Sequence, residues 1–496
     1  MWFDEAMSWR TVTLPWSEML ASVARNTHAP FFFIVLKSWV EVWGDSLVSL
    51  RSLNVLLAVL TLLLIAVFFR AAAVIFTGVK LRRENRRECL RAARIAMVLF
   101  AVSPLQIRVA SEVRMYPLLV LLLLCSSWLL LRWLAHPRNK WRAVTFSGSI
   151  LLMLYTHYFG LFLIASQFLF LFGWAVQRSL DCWGNNCDDA ADLQWQETRR
   201  CWVMLSAILL GVGLGWSVWL PVFLDQQQRV TKQWWTNSLA TTDLVHLGVE
   251  WIGSGRAIGP EASGWVALGV LVGSLFVVLR LIRLGTAASF YLACCFVVPL
   301  LLAVGYSWLG RNLMVSRYFA PIHLLWLLGV ALSIASIRSG WWRDGVFAVL
   351  VLLSLIMQWT HLAAENVWHD QGIVAAVSCV EHGLQEHELV VVDSSLIYFP
   401  ATFVANDRKR WRLLEDVNPL SFSTGLPVLT QSDRVDVDDL RSSKFEGLWV
   451  VSSGSQRIYA PDVGWTVDQR EFFAGSVPFQ ETVIVTHFKR SRGTHD

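Results

Sequence analysis

Long apolar runs decide most of what this chain can fold into. Stretches such as "LNVLLAVLTLLLIAVFF" (53–69) and "VFAVLVLLSLIM" (346–357) come close to one bilayer crossing, which takes about 20 largely apolar residues. In hydrocarbon every peptide group must be satisfied within the chain, and a helix does this by itself. Of 496 residues, 55% are hydrophobic and only 16% charged, where a soluble chain carries roughly a quarter. The sequence therefore predicts a polytopic α-helical membrane protein. Ten spans are expected near 46–70, 92–108, 117–135, 142–157, 159–177, 201–223, 264–284, 287–309, 319–337 and 345–361.

Lys and Arg set the expected orientation. The loop "KLRRENRRECLRAAR" (80–94) holds seven of them, and further basic groups lie around 132–142, 178, 199–200, 280–283 and 338–343. With simple alternation all of these clusters fall on one side, which is then cytoplasmic. Residues 1–45, the turns near 109–116 and 158, the loops 224–263 and 310–318, and the tail face outward. An outer segment of 45 residues needs help to cross, so an upstream span ahead of this start is expected. After about residue 362 the composition turns mixed. "HELVVVDSS", "FEGLWVVSSG" and "ETVIVTHFKR" look like strands, and 368–384 and 397–406 have helical spacing. Residues 365–496 are read as a small external α/β domain, 46–361 as the multi-span domain, and 1–45 as an external loop with interfacial helices. Cys182 and Cys187 form a C-x4-C with no second pair, too sparse for zinc.

Chemistry-bearing side chains gather at the outer ends of the spans. Asp4 and Glu5 stand side by side in "MWFDEAMSWR"; His28 and Pro30 follow in "THAPFFF". Glu112, Arg114 and Tyr116 lie in "SEVRMYPL", Tyr155, His157 and Tyr158 in "YTHYFG", and Arg317 and Tyr318 in "SRYFAP". Ionisable groups at that depth are costly unless they are paired or line a wet cavity. Each also has a plainer reading: solvated loop acids at Asp4 and Glu5, an aromatic belt at the tyrosines, satisfied interfacial histidines, and headgroup contacts at Arg108 and Arg311. There is no Gly-rich phosphate loop after a strand and no D-x-D in a cytoplasmic segment, so no nucleotide or nucleic-acid site is read.

The succession "WFDEA", "HAP", "WGDS…RSL", "SP…QI…SEVRMYPL", "YTHYFG" and "SRYFAP" resembles the GT-C superfamily over about residues 2–340. More narrowly, it resembles membrane glycosyltransferases of the protein O-mannosyltransferase, lipid A aminoarabinose transferase and lipopolysaccharide galacturonosyltransferase type. The family's H-P-P is H-A-P here, with Ala29 replacing a proline. The resemblance implies an inverting transfer of a sugar from a polyprenyl-phosphate donor to a glycan, lipid or protein hydroxyl, on the outer face of the cell membrane. It implies Asp4 and Glu5 as catalytic, with Asp4 as general base. His28, Glu112, Arg114, Tyr116, His157, Tyr158, Arg317 and Tyr318 are implied as substrate-binding, the two arginines gripping phosphate. No cofactor is required; convergence of Asp4, Glu5 and His28 would admit a divalent metal, which the mannosyl-type relatives do not imply. A lipid-sugar transporter or flippase and a non-catalytic relative are the rival readings. A transporter would more often show inverted repeats and interrupted spans in matching halves.

Overall fold

A computed structural model describes the chain except for residues 78–82, 185–188, 233–237, 254–257, 259, 367–370, 416–424, 443–444, 455–458, 460, 462–463, 475–481 and 491–496. Cys187 lies outside the described residues, as does the side chain of Cys182, so the C-x4-C reading is not addressed. The chain divides into two compact units. One comprises 28–35 and 51–362; the other comprises 1–27, 36–50 and 363–496.

The first unit is helical. Its helices are α4 (Leu47–Thr77), α5 (Arg83–Val102), α6 (Pro104–Ser111), α7 (Tyr116–Ala135), α8 (Lys140–Leu154), α9 (Gly160–Gly184) and α10 (Asp189–Ser217). There follow α11 (Leu220–Lys232), α12 (Thr241–Ile252), α13 (Pro260–Leu284), α14 (Ala287–Trp308), α15 (Ala320–Ala335) and α16 (Gly340–Asn366). Among the described residues, eight helices are long and apolar enough to cross a membrane. The expected span at 92–108 is a pair, α5 and α6, bent by 58° at Ser103–Pro104. Proline suits the first turn of the new helix, where its missing N–H costs nothing, and the Ser103 hydroxyl caps the Gln106 N–H at 3.4 Å. The expected span at 142–157 is α8, only 15 residues long. Burial ranks the helices: α15 is 83% buried over its most apolar window, α13 11% and α16 0%. α15 is thus a central helix, and α13 and α16 turn most of their surface outward. Inside, Gln167 on α9 donates to Ser126 Oγ on α7 (2.8 Å) and to Tyr291 OH on α14 (3.0 Å), while that tyrosine donates to Ser127 Oγ (2.6 Å). Such hydrogen bonds tie helices together where apolar packing alone gives little direction.

The second unit is α/β. It contains α1 (Phe3–Thr13), α2 (Trp16–Arg25), part of α3 (Phe31–Trp43), α17 (Gln371–Gly383), α18 (Ser395–Val404) and α19 (Val437–Ser442). Its strands are β1 (Glu388–Val392), β2 (Trp411–Leu414), β3 (Arg434–Val435), β4 (Gly447–Ser453), β5 (Trp465–Phe473) and β6 (Val483–Arg490). They form one sheet in the order β3-β2-β1-β4-β6-β5, with the first four parallel and β6 antiparallel to both neighbours. All five residues of β1 are buried, as a central parallel strand covered on both faces requires. Leu389, Val391, Leu414, Leu448, Val450 and Phe488 make one core of this sheet. The outer strand β5 is largely exposed, and Asp468, Arg470 and Glu471 on it discourage edge-to-edge pairing.

Candidate functional site

Four segments of the helical unit meet at one place, and backbone hydrogen bonds fix them first. The Phe31 N–H donates to the Tyr155 carbonyl at 2.8 Å, joining the His28 loop to the α8–α9 turn. Gln226, buried on α11, donates through Nε2 to the His28 carbonyl (3.2 Å) and accepts from the Tyr158 hydroxyl. Trp219 Nε1 donates in turn to that hydroxyl at 2.9 Å. Burial pushes the Tyr158 phenol up to about 12, so it remains a donor at neutral pH. Asn54, a lone amide in the apolar α4, donates to the carbonyls of Glu112 and, at 2.8 Å, Arg114. The Arg114 N–H also closes a tight turn on the Glu112 carbonyl (2.8 Å), so the E-x-R segment is pinned by its backbone.

The side chains then converge. The rings of Tyr116, His157 and Tyr318 form a triangle with centroids 5.3–5.9 Å apart. The Arg317 guanidinium stands 5.9 Å from the Tyr116 ring centre, and Arg114 is only 4% exposed. His157 accepts the Phe159 N–H at Nδ1 (3.1 Å), which places the proton of its neutral form on Nε2. Burial and then the charges of Arg114 and Arg317 bring its pKa down to about 3. His28 is lowered as well, by burial first and then by Arg114, His157 and Arg317. Two cations, Arg114 and Arg317, thus lie beside two imidazoles held neutral, and the Glu112 carboxylate acts on Arg108 in the same region. A guanidinium pair supplies forked donors, and an imidazole Nε2–H adds another.

A second group buttresses this one. Arg108 at the end of α6 pairs with Glu250 on α12 at 2.6 Å and donates to Ser316 Oγ at 2.8 Å. The Ser316 hydroxyl also reaches Glu250. Burial opposes the Glu250 charge, but hydrogen bonds from His246, Arg108 and Ser316 outweigh it and hold its carboxyl well below the usual range. Ser316 opens the 3-10 turn Ser316–Phe319 that carries Arg317 and Tyr318, so the Arg108–Glu250 pair anchors that turn. Arg108 is thus an internal ion-pair partner and not the headgroup contact expected from the sequence. Arg311 likewise donates to Gln227 (2.7 Å) and Tyr306 (2.9 Å).

Asp4 and Glu5 lie in the α/β unit, on the first turn of α1. Glu5 is fully buried, and its carboxylate accepts the Trp2 N–H at 3.3 Å, capping the helix. Asp4 is partly exposed, and its carbonyl accepts the Ser8 hydroxyl (2.9 Å). Among the described residues, no three of His, Cys, Asp and Glu are grouped as a metal ion would need.

No protein-family model matches the chain, and no curated protein matches it by sequence. Solved structures do. ArnT from Cupriavidus metallidurans, in the apo state, aligns over 98% of this chain and 93% of its own, with a TM-score of 0.60 at 14% identity. The chain has the GT-C fold. The same ArnT bound to undecaprenyl phosphate aligns over 98% and 92%, with a TM-score of 0.53 at 13% identity. An oligosaccharyltransferase of Archaeoglobus fulgidus, in complex with zinc and sulfate, aligns over 86% and 59% at 14% identity, with a TM-score of only 0.43. The resemblance read from sequence over about residues 2–340 agrees with this likeness in fold, which extends over 98% of the chain. Asn54, Gln226, Glu250 and Ser316 were not singled out by sequence. Of these, Asn54 alone leaves a clear trace, as an amide inside a 17-residue apolar run.

Proposed function

We propose that this protein is a membrane glycosyltransferase that takes a sugar from a polyprenyl-phosphate donor and joins it to an acceptor hydroxyl, with inversion, on the outer face of the membrane. The observation that carries this reading is the convergence of Arg114 and Arg317 with neutral His28 and His157 in a unit of GT-C fold. A solved structure of that fold holds undecaprenyl phosphate. In the proposed step the acceptor oxygen attacks the anomeric carbon, and the bond from that carbon to the phosphate oxygen breaks. Negative charge grows on the lipid phosphate, where fixed guanidinium groups are of most use. Asp4 takes the acceptor proton. Glu5 caps its own helix, which favours Asp4 over Glu5 as the base.

The reading is tested with membranes supplied with undecaprenyl-phosphate mannose, galacturonate or aminoarabinose, scoring release of undecaprenyl phosphate and label in any acceptor. Asp4→Asn should lower the rate by about 10²–10⁴ while the protein stays inserted, since the amide cannot accept the proton. Arg114→Lys should weaken binding of undecaprenyl phosphate although charge is kept, because an ammonium lacks the planar fork. Movement of the lipid across the bilayer without a new glycosidic bond would replace this reading by a transporter.

A further inference from the structure

The acidic helix is built into the C-terminal α/β domain. Arg10, on the last turns of α1, places one guanidinium nitrogen 2.9 and 2.7 Å from the two carboxylate oxygens of Asp433, more than 420 residues later. Asp433 also accepts from the Tyr398 hydroxyl (3.1 Å) and from Thr430 (hydroxyl 2.6 Å, N–H 2.8 Å). Burial opposes its charge, but the bonds from Thr430 and the Arg10 charge outweigh that and keep it ionised. The residue preceding Arg10, Trp9, is enclosed. Phe403 meets it edge-on at 5.1 Å, Arg408 stacks at 4.6 Å, and its indole N–H donates to Asp45 at 3.0 Å. Phe3 meets Phe399 at 5.8 Å, on the turn that carries Asp4 and Glu5. Gly425, at φ 89°, lets the chain pass so close that a Cβ would strike the Phe399 ring and come within 3.3 Å of Met7 Sδ. Lys37, 7% exposed, caps the far end of α1 by donating to the carbonyls of Val12 (3.1 Å) and Leu14 (2.7 Å).

We infer that Asp433 is a positioning residue: through Arg10 it makes the C-terminal domain the mount that sets the angle and register of the Asp4–Glu5 turn. What that turn does rests on the glycosyltransferase reading; that the domain holds it does not. A surface ion pair would add little. Here both partners are largely enclosed, and Asp433 keeps the neutral hydrogen bonds of Tyr398 and Thr430 beside the pair.

Hydrogen exchange on the full chain in detergent micelles tests the mount. Asp433→Asn should speed exchange of the amides of 3–13 by about tenfold or more, the range for hydrogen bonds to charged groups. Amides of β1 and β4 should keep their wild-type protection. Arg10→Gln, which leaves the domain's own bonds to Asp433 in place, should loosen α1 alike, and Arg10→Lys, which keeps a charge facing Asp433, should restore part of its protection. Sugar release from the undecaprenyl-phosphate donors should fall about tenfold in kcat for either single variant, with KM for the donor unchanged. Wild-type protection of α1 in Arg10→Gln would overturn the inference, as would a loosened α1 with undiminished kcat. Loss of β1 and β4 protection in Arg10→Gln would also overturn it, reducing the pair to a fold contact. Absence of release by the wild-type chain would sink the glycosyltransferase reading, while the exchange result would still decide the mount.

Discussion

His157 shows how one side chain constrains both chemistry and stability. Its Nδ1 is used by the Phe159 N–H, and burial beside Arg114 and Arg317 brings its pKa down to about 3. An unfolded histidine titrates near 6.5. Between those two values the unfolded chain binds a proton that the folded chain refuses, so the unfolded state gains as pH falls. The contribution is fully present above about 6.5 and is lost progressively as pH falls toward 3. His28 is shifted the same way by the same neighbours and adds to the slope. Thermal inactivation in detergent should therefore be steeply acid-sensitive between pH 6.5 and 5, and His157→Gln should flatten that dependence. An unchanged slope in His157→Gln would mean that His157 is protonated in the folded site, and would weaken its place beside the two arginines.

At the scale of elements, the site depends on supports that look unremarkable in sequence. Asn54→Ala removes both donors to the E-x-R carbonyls. Leaving buried carbonyls without those bonds costs about 1–3 kcal/mol, and the turn carrying Arg114 should loosen with it. We expect a lower melting temperature and weaker binding of undecaprenyl phosphate, both partly rescued by Asn54→Gln if the longer amide still reaches. The long spans were legible because a 20-residue apolar helix has few other meanings, and α4, α7, α13, α14 and α16 follow the expected runs closely. α11 and α12 were not: 224–263 reads as a polar loop, since an amphipathic helix of 12 or 13 residues carries no span signal. Glu250 was hidden there, although it anchors the Arg317 turn. In the α/β domain, β1, β4 and β6 show as apolar runs, whereas β2 and β3, of four and two residues, are too short to display a period. The residues meeting around Tyr116 were legible as types at span ends. Their mutual contacts were not, because contacts between α6, α8 and α15 ends leave no local pattern in any one segment.

At the scale of the whole molecule, the first question is which side of the membrane each loop faces. Basic residues answer it by their bias: a loop rich in Lys and Arg stays on the cytoplasmic side. Of the seven at 80–94, Arg83, Arg86, Arg87, Arg91 and Arg94 lie on the N-terminal part of α5, and Arg138, Lys140 and Arg142 run from the α7–α8 turn into the first turn of α8. The ends carrying Arg114, His157 and Arg317 are the opposite ends of those helices. If the basic loops are cytoplasmic, the arginine–histidine site opens on the outer side, where a lipid-linked donor is needed because nucleotide sugars are scarce. Single cysteines in a variant without the eight native ones can decide it. An impermeant maleimide added to intact cells should label Ala240→Cys and leave Asn85→Cys untouched until the membrane is opened. The reverse pattern would turn the site to the cytoplasm, where a soluble nucleotide sugar could serve as donor and the polyprenyl-phosphate proposal would lose its reason.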